Sequence, residues 1–130
     1  MAAWCYRIAA VLLALFAILH QLGFRNTKPD WGVDAALAKL KAIKFRVPGA
    51  EARNYYDFYQ GFGFFVTVLL LFAAVVAWQL AGVPSGMALV KWAFVATLAT
   101  VTWLSWRYFF TPPVMFALPV TVLLLIGALA

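Results

Sequence analysis

Ionisable side chains are scarce in this 130-residue chain: 11% of it is charged, four residues are acidic, and it has one histidine and one cysteine. Each shortage excludes a class of chemistry. A lone Cys5 cannot close an intrachain disulfide or act as half of a Cys-pair redox centre, which removes a self-contained disulfide oxidase. His20, the single histidine, cannot supply both axial ligands of a bis-histidine haem within one chain. One His with one Cys is likewise too few for a zinc or di-iron site. No cofactor or metal is therefore expected. Leu12 to Ala17 and Val68 to Val75 contain no acidic residue, so the mid-span carboxylate typical of small proton-coupled drug exporters is missing. Repeats and low-complexity tracts are absent too.

What the chain has instead is hydrocarbon. It is 67% hydrophobic with a mean hydropathy of +0.96, against about 45–50% apolar in soluble domains. At about 20 residues per crossing, the length allows roughly four spans and one domain, residues 1–130. We expect an all-α, transmembrane, antiparallel four-helix bundle with spans near 4–24, 58–81, 87–110 and 113–130. Residues 25–57 form the one long loop. The net charge of +6 and pI near 9.8 do not point to nucleic acid, because most of the basic residues lie in that loop, where they act as a topology signal. Arg25, Lys28, Lys39, Lys41, Lys44, Arg46, Arg53 and Arg107 fall on one side and only Arg7 and Lys91 on the other. The positive-inside rule then places the loop in the cytoplasm and both termini in the periplasm.

Taken in order, the first span follows Arg7 and is not succeeded by a small-x-small cleavage site, so a retained helix is expected rather than a removed signal. Ala10, Ala14, Ala17 and Gln21 give it a small-residue face suited to close helix contact. In the loop, Val33 to Phe45 reads as a short amphipathic helix in the headgroup layer, with Asp30 or Asp34 near its start, lysines near its end, and an apolar stripe of Val33, Leu37 and Leu40. Pro48-Gly49 should end it. The second span begins in a belt of Tyr55, Tyr56 and Tyr59, and Gln60, Gly63 and Thr67 share one of its faces. Its glycines imply a packing reason, such as close contact or room for a ligand. Gly82-Val83-Pro84-Ser85-Gly86 is a tight turn. In the third span Ala96, Thr100, Trp103 and Arg107 share a stripe, and Thr97 and Thr102 are free to satisfy backbone or cross-helix partners. Pro113 opens the last span, in which Pro119 is expected to cause a local kink.

On this topology His20, Gln21, Tyr56, Asp57, Tyr59, Gln60, Trp103 and Arg107 approach one end of the bundle from three helices. An Asp or an Arg at a helix centre in the membrane costs about 2.5–3.5 kcal/mol, so Asp57 and Arg107 should sit near headgroups, face inward or pair with each other. Such a cluster is either a structural clasp between spans two and three or a polar mouth for a ligand headgroup. In the second case Arg107 is the anion contact, and Asp57 and His20 are the acid–base candidates.

Several segments carry a resemblance: Gly23-Phe24-Arg25, Pro29-Asp30-Trp31-Gly32-Val33-Asp34, Arg53-Asn54-Tyr55-Tyr56-Asp57-Phe58-Tyr59-Gln60-Gly61-Phe62-Gly63, and Trp106-Arg107-Tyr108-Phe109-Phe110 with Pro112-Pro113. Together they resemble a group of small four-span bacterial inner-membrane proteins whose central motif has Trp where this chain has Tyr56. The group implies no activity and hence no catalytic residue. A weaker architectural similarity to the emopamil-binding and DoxX-like four-helix proteins favours apolar-ligand binding by analogy of fold. The leading expectation is a bilayer protein that binds a lipid-like or small apolar molecule in its helical bundle. An enzyme acting on a lipid or isoprenoid-like substrate through Asp57 and His20, and a small oligomeric channel or exporter, are the alternatives. Four short helices rich in Ala, Gly and Thr bury little, so a homo-oligomer is also expected.

Overall fold

The computed structural model describes residues 1–25, 32–46, 53–83, 86–109 and 111–130. These residues form five helices: α1 (Ala2–Arg25), α2 (Val33–Ala42), α3 (Tyr55–Leu80), α4 (Ala88–Tyr108) and α5 (Thr111–Leu129). The fold is all-α, a four-helix bundle with one added short helix. α1, α3, α4 and α5 are each long and apolar enough to cross a membrane. The shortest, α5 with 19 residues, reaches about 28 Å at 1.5 Å per residue, close to the ~30 Å hydrocarbon layer.

Burial shows which solvent these helices require. Only 17% to 33% of each span's most apolar window is buried inside the protein, and side chains such as Phe62, Phe65, Phe72 and Val75 lie exposed along α3. Water would oppose that surface at about 25 cal/mol per Å², whereas lipid chains solvate it. The protein is an integral membrane protein in contact with the bilayer.

The residues gather into two compact units, 1–17 with 69–130, and 18–68. The first holds the main core. α1 contributes Tyr6, Ala9, Ala10, Leu13, Phe16 and Ala17, α3 contributes Leu70, Ala74, Ala77 and Leu80, and α5 contributes Ala117, Val120 and Leu124. Each set recurs at helical spacing, and each is rich in small residues, which is how helices approach closely without a hydrophobic driving force in lipid. The small face read from Ala10, Ala14 and Ala17 is in place: Ala10 and Ala17 are buried and Ala14 packs against the core. Gly127 admits the Tyr6 ring so tightly that an added Cβ would stand 2.9 Å from Cε2.

α4 is the least apolar span, with a hydropathy of 1.4, and its threonine hydroxyls are internally satisfied. Thr97, Thr100 and Thr102 donate to the carbonyls of Ala93, Ala96 and Leu98, a backbone bond that hides a polar group in lipid. Thr102 also meets Thr121 of α5 at 2.9 Å, joining the two helices across the span. Before α4 the backbone is left-handed at Gly86 (φ 85°) and at Met87 (φ 54°). Glycine adopts that conformation without strain, whereas a side chain adopts it at a cost.

The second unit departs from expectation in two places. α2 stops at Ala42 rather than Phe45, because the next residues leave the helix to pair with the chain entering α3. Lys44 and Asn54 form an antiparallel bridge, with Phe45 N donating to Arg53 O and Tyr55 N donating to Ile43 O, both at 3.1 Å. The stripe on α2 is as read: Val33, Leu37 and Leu40 are its half-buried residues. Pro48-Gly49, expected to end that helix, and Asp30 lie outside the described residues. The second span starts at Tyr55 rather than Phe58, because Asn54 and Asp57 cap it reciprocally. Asn54 Oδ1 accepts from Asp57 N at 2.9 Å, and Asp57 Oδ2 accepts from Asn54 N at 3.0 Å. α5 begins at Thr111, two residues ahead of Pro113, and is continuous through Pro119.

Candidate functional site

Six of the expected site residues, His20, Gln21, Tyr56, Asp57, Tyr59 and Gln60, belong to the 18–68 unit. Along α3, Tyr56, Gln60, Gly63 and Thr67 repeat at 3–4 residues and so share a face. At Gly63 and Thr67 that face meets the end of α1. His20 Nε2 lies 3.3 Å from the Gly63 carbonyl oxygen; since a carbonyl only accepts, this ring nitrogen carries the proton in that bond. Thr67 Oγ1 is 3.0 Å from Gln21 Oε1 and 3.1 Å from the Gly63 oxygen. Further along, Gln60 donates to the Tyr56 hydroxyl at 2.7 Å, and the Tyr56 ring lies beneath the Lys41 ammonium at 4.7 Å. The Gln21 Nε2 amide is buried without a partner among the described residues, so the seam retains an unspent NH2 group.

Asp57 lies in the first turn of α3. One of its carboxylate oxygens accepts from the Asn54 backbone amide, and its charge sits at the positive end of α3, where an anion is stabilised. Trp103 and Arg107 belong to the other unit, where they form a cluster with Tyr108. The Trp103 and Tyr108 rings meet edge-on at 6.5 Å, and the Arg107 guanidinium stands 5.2 Å from the Tyr108 ring centre. The stripe Ala96, Thr100, Trp103, Arg107 faces outward along its whole length.

The opposite face of α3 carries a feature that sequence reasoning missed. Phe58, Gly61, Phe62 and Phe65, spaced i, i+3, i+4 and i+7, line an open apolar groove of about 430 Å³. The space beside Gly61 is open: a Cβ placed there meets nothing within 4 Å. Above the groove Phe45 stacks on Tyr55 at 4.4 Å and meets Phe58 edge-on at 5.7 Å, while Phe58 meets Phe62 at 4.8 Å. An F-x-x-G-F-x-x-F spacing was the available signal. Within a uniformly apolar span it did not stand out.

No three His, Cys, Asp or Glu side chains gather at a metal-holding distance among the described residues. Comparison with protein-family models, with curated proteins and with solved structures finds no match to this chain. Its function is therefore argued from its own geometry.

Proposed function

We propose that this membrane protein binds a lipid-like amphipath, with the apolar part of the ligand lying in the groove of Phe58, Gly61, Phe62 and Phe65. The observation that carries this reading is the groove itself: four apolar positions on one helical face, one of them a glycine that leaves the space open. The groove is open along one side and lined by apolar side chains, so an acyl or isoprenoid-like segment lies along the helix rather than enclosed within it. Tyr55, Tyr56 and Tyr59 then mark the headgroup level, and the half-buried stripe of α2 seats that helix in the interfacial layer. This places the ligand on the outer face of α3 rather than between helices, with the seam of His20, Gln21, Gly63 and Thr67 acting as the clasp behind it. The resemblance to small four-span bacterial proteins, the inner-membrane location and the cytoplasmic loop belong to the same proposal. So does assembly into a homo-oligomer, which cross-linking in native membranes that gave only monomer would remove.

Native mass spectrometry of the detergent-extracted protein tests the reading. Wild type should carry a co-purified amphipathic molecule, and Gly61→Leu, which fills the groove, should lose it. Equal retention by the two proteins would refute groove binding.

A further inference from the structure

Resting on the groove reading, we infer that the occupant is the acyl chain of an anionic phospholipid, selected by a cationic collar where the chain enters α3. The collar is built by the short ribbon of residues 43–46 paired with residues 53–55. The bridge between Lys44 and Asn54, with its two flanking backbone bonds, holds Lys44, Arg46 and Arg53 together at the first turn of α3. All three are exposed. Phe45, between two of these cations in sequence, is half-buried against Tyr55 and Phe58, so the ribbon that carries the charges rests on the upper wall of the groove. Lys41 approaches the same turn from α2, over the Tyr56 ring.

Positive charge is in excess here. Asp57, the carboxylate at the start of α3, keeps its charge while accepting from Asn54, and none of the collar cations is in an ion pair among the described residues. Counting Lys41, Lys44, Arg46 and Arg53 against Glu51 and Asp57, residues 41–57 carry a net +2. A polar anchor of net positive charge directly above an apolar slot complements a negative headgroup joined to an acyl chain. Basic residues at a membrane surface attract anionic lipid by about 1 kcal/mol each, roughly fivefold per charge. A zwitterionic headgroup gains much less from such a collar.

The test uses the full chain in nanodiscs of equal phosphatidylcholine and phosphatidylglycerol, with retained lipid counted by native mass spectrometry after gentle extraction. Wild type should retain phosphatidylglycerol over phosphatidylcholine by about 25-fold, as expected for a net of two such charges. The triple variant Lys44→Gln, Arg46→Gln, Arg53→Gln should return the ratio to the bulk value while keeping the total bound. Lys91→Gln, which removes a cation from the other unit, should change neither quantity. Gly61→Leu should lower the total of both lipids. A wild-type ratio equal to the bulk, or a triple variant that keeps the enrichment, overturns the collar and leaves the groove standing. Absence of retained lipid of either kind overturns both.

Discussion

The Tyr6 ring lies against Gly127 with no room for a methyl group between them. A Cβ built on the glycine stands 2.9 Å from Tyr6 Cε2 and 3.0 Å from Cζ. Tyr6 is 1% exposed and cannot swing aside without disturbing α1 and its neighbours.

Gly127→Ala is therefore expected to destabilise the protein by about 1–3 kcal/mol, the usual result of overfilling a packed site, measured as a fall in apparent Tm in detergent. Gly61→Ala is the control, since its methyl group enters open space. Similar melting of the two variants would mean that Tyr6 yields more readily than its burial implies.

The Tyr6 hydroxyl is buried with no hydrogen-bond partner among the described residues. An orphaned buried polar group costs about 1–3 kcal/mol, so Tyr6→Phe should leave stability unchanged or raise it, whereas Tyr6→Ala should lose about 3–5 kcal/mol. Clear destabilisation by Tyr6→Phe would reveal a partner for the hydroxyl.

At the start of α3, Asn54→Ala removes one half of the reciprocal cap. A loss of about 0.5–2 kcal/mol is expected, seen as faster amide hydrogen exchange over residues 55–60 with exchange in α5 unchanged. If Asp57→Asn reproduces only part of this effect, the remainder measures the charge at the helix start. Unchanged exchange in Asn54→Ala would show that Tyr55 and its neighbours are held by other means.

Thr67→Val strands the Gln21 oxygen, and Gln21→Leu strands the Thr67 hydroxyl less severely, because that group lies 3.1 Å from the Gly63 carbonyl. A double-mutant cycle in detergent or bicelles should yield a coupling near 0.6 kcal/mol and below about 1.7 kcal/mol, the range of hydrogen bonds between membrane helices. Zero coupling would indicate that Gln21 and Thr67 are neighbours without being bonded.

The proposed sidedness is testable with Lys44→Cys in a Cys5→Ala background. A membrane-impermeant maleimide should label this residue in inverted vesicles and leave it unmodified in intact spheroplasts. The opposite pattern would reverse the assigned orientation.

The four spans were legible because their composition alone excludes water as a solvent, and the polar stripe of Gln60, Gly63 and Thr67 was legible because nothing else on α3 resembles it. The partner of that stripe was not, since the sequence of α1 offers Gln21 no preference for Thr67 over any other acceptor or donor. Asn54-x-x-Asp57 ahead of an apolar run is a capping signature, and it would have set the start of α3 correctly. The pairing of Lys44 with Asn54 joins residues ten apart through backbone bonds alone, and side-chain pattern carries no record of it. Tyr6 and Gly127 lie 121 positions apart, and their fit is a matter of shape that apolar periodicity does not encode.

The hydroxyl contact between Thr102 and Thr121 has a consequence for biogenesis. Only residues 109 and 110 separate α4 from α5, so the most weakly hydropathic span and the shortest one emerge from the ribosome in immediate succession, and they can partition out of the translocon as a single hairpin. Each then compensates for the other's marginal insertion, and a chain cut within their connection would be expected to leave α4 poorly integrated.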